Sequence, residues 1–539
     1  MGSVDPSAPA GIKLPTIKLD TTLAELYKRA NPKNAGVRLG LVSCGVTSGL
    51  DLTPDFPRNT RFPYQDQPLN TEPRQELTVG NADLRKSLAK KYLSLIPQRD
   101  AFISGPMPVI FFNLDQTPQQ IERDRREAEA TISVLDPSQR PDLVFCLGPS
   151  MIPLQDHGID KLDFKVALDG LQGYPLTHDL ETHWFLNSKA ALARSGLPTP
   201  RAEIIEPEGS CPDAESCCPA CTSAATTPSE LPSIPPTCTG PRRQWLSAQT
   251  NRVLSAVRSR PIPFVFKTQQ AFGGAGTWVV TSPEQKSQLL ADLFCSSSNG
   301  NNNKDDNDGV LPKLLTQVTR SNRHLGPATV LICDLVGGGG GGDAGKVVGD
   351  YGLTFVVTDG GRAEFLAAAE QTTDGSSAWI GSSICYPRQE ELRRKFEGLM
   401  RRTAEWVGRF GYFGPVGVDV LEAETPAAAA AGKGGTECFI VDLNVRTCGS
   451  VSLPLLRSHF VGRGLECASS FSIVVKGGRA EFIRRWQGPF EEGRMLILSW
   501  YEDPEAGESI ADVVVGGEDE GRLQELVRLV REDTEEVTF

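Results

Sequence analysis

Residues 439–449 read Phe439-Ile440-Val441-Asp442-Leu443-Asn444-Val445-Arg446-Thr447-Cys448-Gly449. Seven of the first eight suit a β-strand, along which side chains alternate faces. Strict alternation turns Phe439, Val441, Leu443 and Val445 into a core. It leaves Asp442, Asn444 and Arg446 in a row on the other face, about 6.5–7 Å apart per step. A carboxylate, an amide oxygen and a guanidinium in one row suit a metal ion held against phosphate. Upstream, Val416-Gly417-Val418-Asp419-Val420-Leu421 predicts a second strand with one more acid. The Ala/Gly-rich residues 422–436 between them read as a long hairpin loop. Antiparallel pairing then brings Asp419 towards Asp442, and with Asn444 the two carboxylates form an all-oxygen set for magnesium. The same stretch also fits a half-buried strand with a polar outer face. The rest of the chain decides between the two.

Working outward, an amphipathic helix is predicted over 388–410, and before it a strand over 346–357. Gly340 to Val347 satisfies G-x-x-x-x-G-K but is not a phosphate-binding P-loop. Position 347 is Val, so the magnesium-ligating hydroxyl is missing, and strand rather than helix follows Lys346. A strand over 329–336 carries Cys333, Asp334, Leu335 and Val336 and breaks into glycines. Phe264 to Lys267 predicts another strand, running into Gly273, Gly274, Gly276 and Thr277 before Trp278–Val280 returns. Strand, glycine loop, strand is a hairpin whose tip can fold backbone N–H groups over phosphate, with Lys267 beside it. A helix around Lys189 ends at Gly196 and exits through Leu-Pro-Thr-Pro. Strands near 37–42, 108–113 and 142–148 alternate with a helix over 118–135. This predicts an open, mostly parallel sheet in the first ~170 residues, of mixed α/β class. A strand at 495–500 and a helix over 519–532 close the chain.

With 539 residues the chain is too long for one core, and three or four domains are expected. A net charge of −12 argues against nucleic acid or an anionic membrane as the main partner. No apolar run reaches the roughly 18 residues of a membrane span, and residues 1–15 show no secretory signal, so a cytoplasmic protein with reduced thiols is expected. Of thirteen cysteines, five fall at 211, 217, 218, 221 and 238. Cys218-Pro-Ala-Cys221 has zinc-knuckle spacing. The surrounding 206–243 is Pro/Ser/Thr-rich, without a second spaced pair or any histidine, and reads as a disordered insertion. The five histidines are spread out and read as structural or surface groups.

Together these motifs, in this order, resemble the ATP-grasp carboxylate–amine ligase family. The likeness runs from about 180 to 475, with an α/β domain ahead of it. The glycine-rich inserts look similar to fungal ATP-grasp ligases of specialised metabolism. The resemblance implies an α/β and α+β protein: an N-terminal open α/β (pre-ATP-grasp) domain over 1–175, a Lys-bearing helix and mobile lid over 176–336, a C-terminal subdomain with the metal site over 337–480, and a strand–helix extension over 481–539. It implies ATP held by Lys189, Lys267, Gly273, Gly274, Gly276 and Thr277. Adenine would meet the Asp334-Leu335-Val336 hinge, and Asp350 would lie near the ribose. Mg2+, or Mn2+, would sit on Asp419, Asp442 and Asn444, with Arg446 at the phosphates and acyl group. Asp442 and Asp334 stand where the family more often has Glu.

The implied chemistry is attack of a substrate carboxylate on the γ-phosphate, then capture of the acylphosphate by an amine, releasing ADP and phosphate. The partners are a small carboxylic acid and an amine, at least one an amino acid, and the chain would act as a monomer or homodimer. The rival readings are a non-catalytic ATP-binding regulator, or an enzyme of the same family using a thiol or bicarbonate.

Overall fold

The computed structural model describes residues 11–44, 51–64, 82–114, 117–224, 234–271, 276–294, 309–337, 346–373, 379–424, 435–503 and 506–536. Four short strands, β1 (Leu39–Val42), β2 (Val109–Phe112), β3 (Leu143–Cys146) and β4 (Lys161–Phe164), form a parallel sheet in the order β3-β2-β1-β4. The sequence shows the first three as apolar runs; the fourth, Lys-Leu-Asp-Phe, has no such run to read. One face packs Leu41, Val109 and Phe111 with Phe102 of helix Ala82–Ser104. The other packs Val42, Ile110, Val144 and Leu162 with Trp184. Burial on both faces is what parallel strands require.

A second sheet is antiparallel, in the order β5-β8-β6-β7: β5 (Ala202–Ile205), β6 (Phe264–Thr268), β7 (Thr277–Val280) and β8 (Val330–Asp334). Helices Pro241–Ser259, Pro283–Phe294 and Val310–Thr316 pack Val253, Val257, Leu289 and Leu311 against Phe264, Phe266 and Ile332. The described parts of the insertion, 206–224 and 234–243, are not disordered as expected. Cys211, Cys221, Ile234 and Cys238 are buried in this same core, and the Cys211 N–H donates to Val318 O at 2.8 Å.

The third sheet is large and antiparallel. Its path β13-β12-β9-β10-β11-β14-β16-β15 uses β9 (Val347–Val357), β10 (Ala363–Thr373), β11 (Trp379–Cys385), β12 (Gly414–Glu424), β13 (Thr436–Asn444), β14 (Cys467–Lys476), β15 (Met495–Asp503) and β16 (Glu508–Gly517), with Glu535–Glu536 pairing β14. Helix Gln389–Gly408 buries Leu392, Phe396, Met400 and Val407 against β10 and β9. The region 481–539, expected as a strand–helix extension, contributes two long strands that continue this sheet, followed by helix Glu520–Asp533. The strands pack on the N-terminal region, where Gln98 and the Trp500 backbone exchange two hydrogen bonds of 2.9 and 3.0 Å. Among the described residues no helix is long and apolar enough to cross a membrane.

Three histidines are built into these cores. His178 Nε2 lies 3.0 Å from Phe413 O and His459 Nε2 lies 2.8 Å from Gly493 O, while the His183 ring packs tilted against Phe164 with centroids 4.7 Å apart. Burial holds the first two down to about 4 and the third to about 3. These values are below the free value of about 6.5, so the unfolded chain binds more protons between the two. The stabilising difference is complete above pH ~6.5 and is lost as pH falls towards the folded values. At pH ~5 each such group costs about 2 kcal/mol. His459→Gln is therefore expected to lose about 2 kcal/mol less stability than the parent between pH ~7.5 and ~5. Urea titrations at both pH values measure this, and an unchanged difference would show that His459 is not a neutral buried group.

Candidate active site

β12 and β13 lie side by side with Asp419 directly opposite Asp442, and Gly417 opposite Asn444. The antiparallel pairing expected of the two acid strands is thus present. A Cβ on Gly417 would stand 3.0 Å from Cys448 Cβ and 3.6 Å from Asn444 Cβ, so only glycine keeps the space beside that amide. The strict alternation expected along 439–445 is not present. Asp419 faces Asp442 but Val420 faces Ile440, which leaves Val441 as one extra residue, a β-bulge. The inward side chains are therefore Ile440, Leu443 and Val445, with Phe439 and Val441 outside that core. Downstream of the bulge, Asp442 and Asn444 keep the outward face.

Two lysines arrive from different elements. Lys189 opens helix Lys189–Arg194, which Ser188 caps by accepting the Ala191 N–H at 3.2 Å. Its Nζ lies 2.9 Å from Asp442 Oδ1. Lys267, on β6, donates to the carbonyl of the bulged Val441 at 2.7 Å. Burial and the neighbouring Lys189 cation push the Lys267 ammonium down. Asp442 is held below the usual carboxylate range: burial acts the other way, and Lys189, Lys267 and Arg446 outweigh it. Asp419 is pushed up by burial and then by the facing Asp442 charge. Asp350, on β9 opposite Leu421, is pushed up to about 6 by burial. Two opposed carboxylates with an amide oxygen one step along make a set of hard oxygen donors that fits Mg2+ or Mn2+.

Two residues that the sequence did not single out complete the arrangement. Asn187 Oδ1 accepts the Val445 N–H at 2.9 Å and Arg446 Nη1 at 3.3 Å, so the start of the Lys189 helix positions the arginine. Gln371, on β10, donates Nε2 to Asp419 Oδ1 at 2.6 Å. That bond fixes the orientation of the Asp419 carboxylate. Gln371→Leu is expected to raise the divalent-metal concentration for half-maximal nucleotide turnover roughly 10–100-fold. A metal titration of turnover tests this, and an unchanged midpoint would remove Gln371 from the site.

The remaining expected residues lie around this centre. Gly276 has φ +72° and accepts the Thr268 N–H at 2.9 Å, and Thr277 faces Lys267 across the β6–β7 hairpin. Gly273 and Gly274 lie outside the described residues. Asp334 ends β8, where its carboxylate pairs with Arg260, and its N–H donates to Arg201 O at 2.9 Å; Leu335 and Val336 follow it out of the strand. Asp334 is thus tied to Arg260 and not to the acid cluster. At the G-x-x-x-x-G-K string, the Lys346 carbonyl accepts the Glu424 N–H at 2.9 Å and β9 begins at Val347, so strand and not helix follows, while 340–345 lie outside the described residues. Beyond Arg446, Thr447 Oγ1 is 3.5 Å from Asp100, which also holds Lys165 Nζ at 3.0 Å and the Ser43 hydroxyl. Ser43 and Lys165 directly follow β1 and β4, at the carboxyl end of the parallel sheet, where open α/β sheets place their crevice.

No protein-family model matches the chain, and no curated protein matches it in sequence. Among solved structures it is similar to the ADP complex of PurK, N5-carboxyaminoimidazole ribonucleotide synthetase, at 10% identity and TM-score 0.45 over 97% of this chain and 98% of that one. It is also similar to an L-amino acid ligase from Bacillus licheniformis, at 8% identity and TM-score 0.44 over 93% and 99%. A third is biotin carboxylase from Campylobacter jejuni, at 9% identity and TM-score 0.42 over 80% and 86%. These are ATP-grasp enzymes. At such identities and TM-scores none of the three carries an assignment for this chain, and its own strands and side chains have to do so.

Proposed function

We propose that this chain is an ATP-grasp ligase that joins a carboxylic acid to an amine at the expense of ATP, through an acylphosphate. The observation that carries the reading is the convergence, on one bulged strand pair, of two facing acids with two lysines from separate elements. Asp419, Asp442 and Asn444 would hold Mg2+ or Mn2+, with Gln371 fixing Asp419. The bound cation would supply charge neutralisation to the phosphate chain. Lys189 exchanges Asp442 for phosphate oxygens when nucleotide enters, and Lys267 meets the same chain from the β6 side. The β6–β7 hairpin, with Gly276 and Thr277 at its base, closes over the phosphates, and the segment around Asp334, Leu335 and Val336 receives the adenine, with Asp350 near the ribose. The sheet β5–β8 acts as the lid and excludes water from the reactive acyl group.

Arg446, held by Asn187, presents its planar fork to the acyl oxygens. The acceptor approaches from the carboxyl end of the parallel sheet, past Ser43, Asp100 and Lys165. Positioning and electrostatics do most of the work, because the reacting groups belong to the substrates. The test is ADP release across a panel of carboxylic acids, each with and without pooled amines. Release that needs both an acid and an amine supports the reading. Metal-dependent release indifferent to every acid would overturn ligation.

A further inference from the structure

The described residues hold a second cluster of ligand-type side chains, remote in sequence from the acid strands. Cys217, Cys218, Cys221 and Cys238 bring their four sulfurs within 4.8 Å of one another. All four are free thiols, and the Cys217 and Cys238 sulfurs are 3.6 Å apart. A disulfide needs about 2.05 Å. A tetrahedral site with Zn–S bonds of about 2.3 Å sets sulfurs roughly 3.8 Å apart. The observed spacing matches the second.

Hydrogen-bond donors converge on the sulfurs. Helix Pro241–Ser259 begins at Gly240 with no side-chain cap. Its first N–H groups turn to sulfur instead, Gly240 towards Cys238 and Arg242 towards Cys217. Gly240 comes so close that a Cβ there would stand 2.7 Å from the Cys217 sulfur. The Arg242 side chain is buried and reaches the sulfurs of Cys211 and Cys221, while its Nε has no hydrogen-bond partner. A buried guanidinium among neutral thiols is costly. Four thiolates around a divalent cation carry net negative charge, which compensates it.

We propose that Cys217, Cys218, Cys221 and Cys238 bind a structural zinc ion. The site is closed, with four protein ligands and no open position, so its role is structural. It clips the insertion to the start of the helix that packs behind β6, and so fixes the rim of the second sheet. Soft thiolate donors select zinc over the hard cation of the acid strands.

The experiment is metal analysis of the full chain, purified without added metal and kept reduced. About one zinc per chain is expected. It should be released stoichiometrically by a mercurial thiol reagent and replaced by cobalt with thiolate charge-transfer absorption. Cys218→Ser and Cys238→Ser should each lose the zinc, and Cys146→Ser, on β3, should keep it. Should either variant fail to fold, zinc content and mercurial release in the unmodified chain still decide. A chain that neither carries nor takes up zinc would overturn the proposal. So would a Cys217–Cys238 disulfide in peptide mapping, or full zinc content in folded Cys238→Ser protein.

Discussion

Asp442→Ala is expected to lose metal-dependent ATP turnover by about a thousandfold or more while the chain stays folded. Two effects act together. On the proposed reading the substitution removes a ligand from the cation, and several kcal/mol of transition-state charge stabilisation goes with it. It also strips Lys189 of the carboxylate that holds it at 2.9 Å, leaving two neighbouring lysines without the acid between them. Asp442 is part-exposed on the outward face, whereas Ile440, Leu443 and Val445 carry the packing, so the hydrophobic core is untouched. Asp442→Asn separates charge from size, and it should lose nearly as much. Far-UV circular dichroism with steady-state ADP release measures both halves. Turnover within tenfold of the parent would mean that another acid holds the metal.

Lys267→Ala should weaken nucleotide binding roughly 10–100-fold, the range for losing one charge-assisted hydrogen bond to phosphate. Lys346→Ala should leave it unchanged. The contrast is sharp because both lysines have a claim in the sequence, one beside a glycine hairpin and one ending a G-x-x-x-x-G-K string. The structure separates them: Lys267 reaches the Val441 carbonyl beside the acids, and Lys346 only opens β9 beside Glu424. Nucleotide titrations of the two variants decide. The reverse ranking would restore the P-loop reading and remove Lys267 from the phosphates.

The strands legible in the sequence were those with bulky apolar runs or clean alternation, such as Val-Ile-Phe-Phe in β2 and the Val/Asp pattern of β12. β10, Ala-Glu-Phe-Leu-Ala-Ala-Ala-Glu-Gln-Thr-Thr, escaped notice because its small residues have no strand preference of their own and lie flat only against their neighbours. Gln371 went unseen with it. The cysteine site was half legible. Cys218 and Cys221 announce themselves by spacing, but Cys238 arrives only because the chain turns back to begin helix Pro241–Ser259, and Cys217 adjoins a ligand already counted. Asp419 and Asp442 were readable as partners because a hairpin between two acid strands leaves few registers that bury both apolar faces.

The extra residue at Val441 bears on how this strand tolerates insertion and deletion. Removing Val441 would leave Leu443 and Ile440 inward and Asp442 outward, since Asp419 and Val420 already face Asp442 and Ile440 in regular order. The shortened strand would satisfy the core without a kink, and what it would lose is the carbonyl that receives Lys267. A chain lacking Val441 should therefore melt no lower than the parent and yet dock its second sheet poorly. In an alignment the position would open as a one-residue gap inside the motif, putting hydrophobic markers upstream of it out of phase with the Asp-x-Asn-x-Arg downstream. A search pattern that fixes the distance between them would pass over relatives whose strand has no such residue.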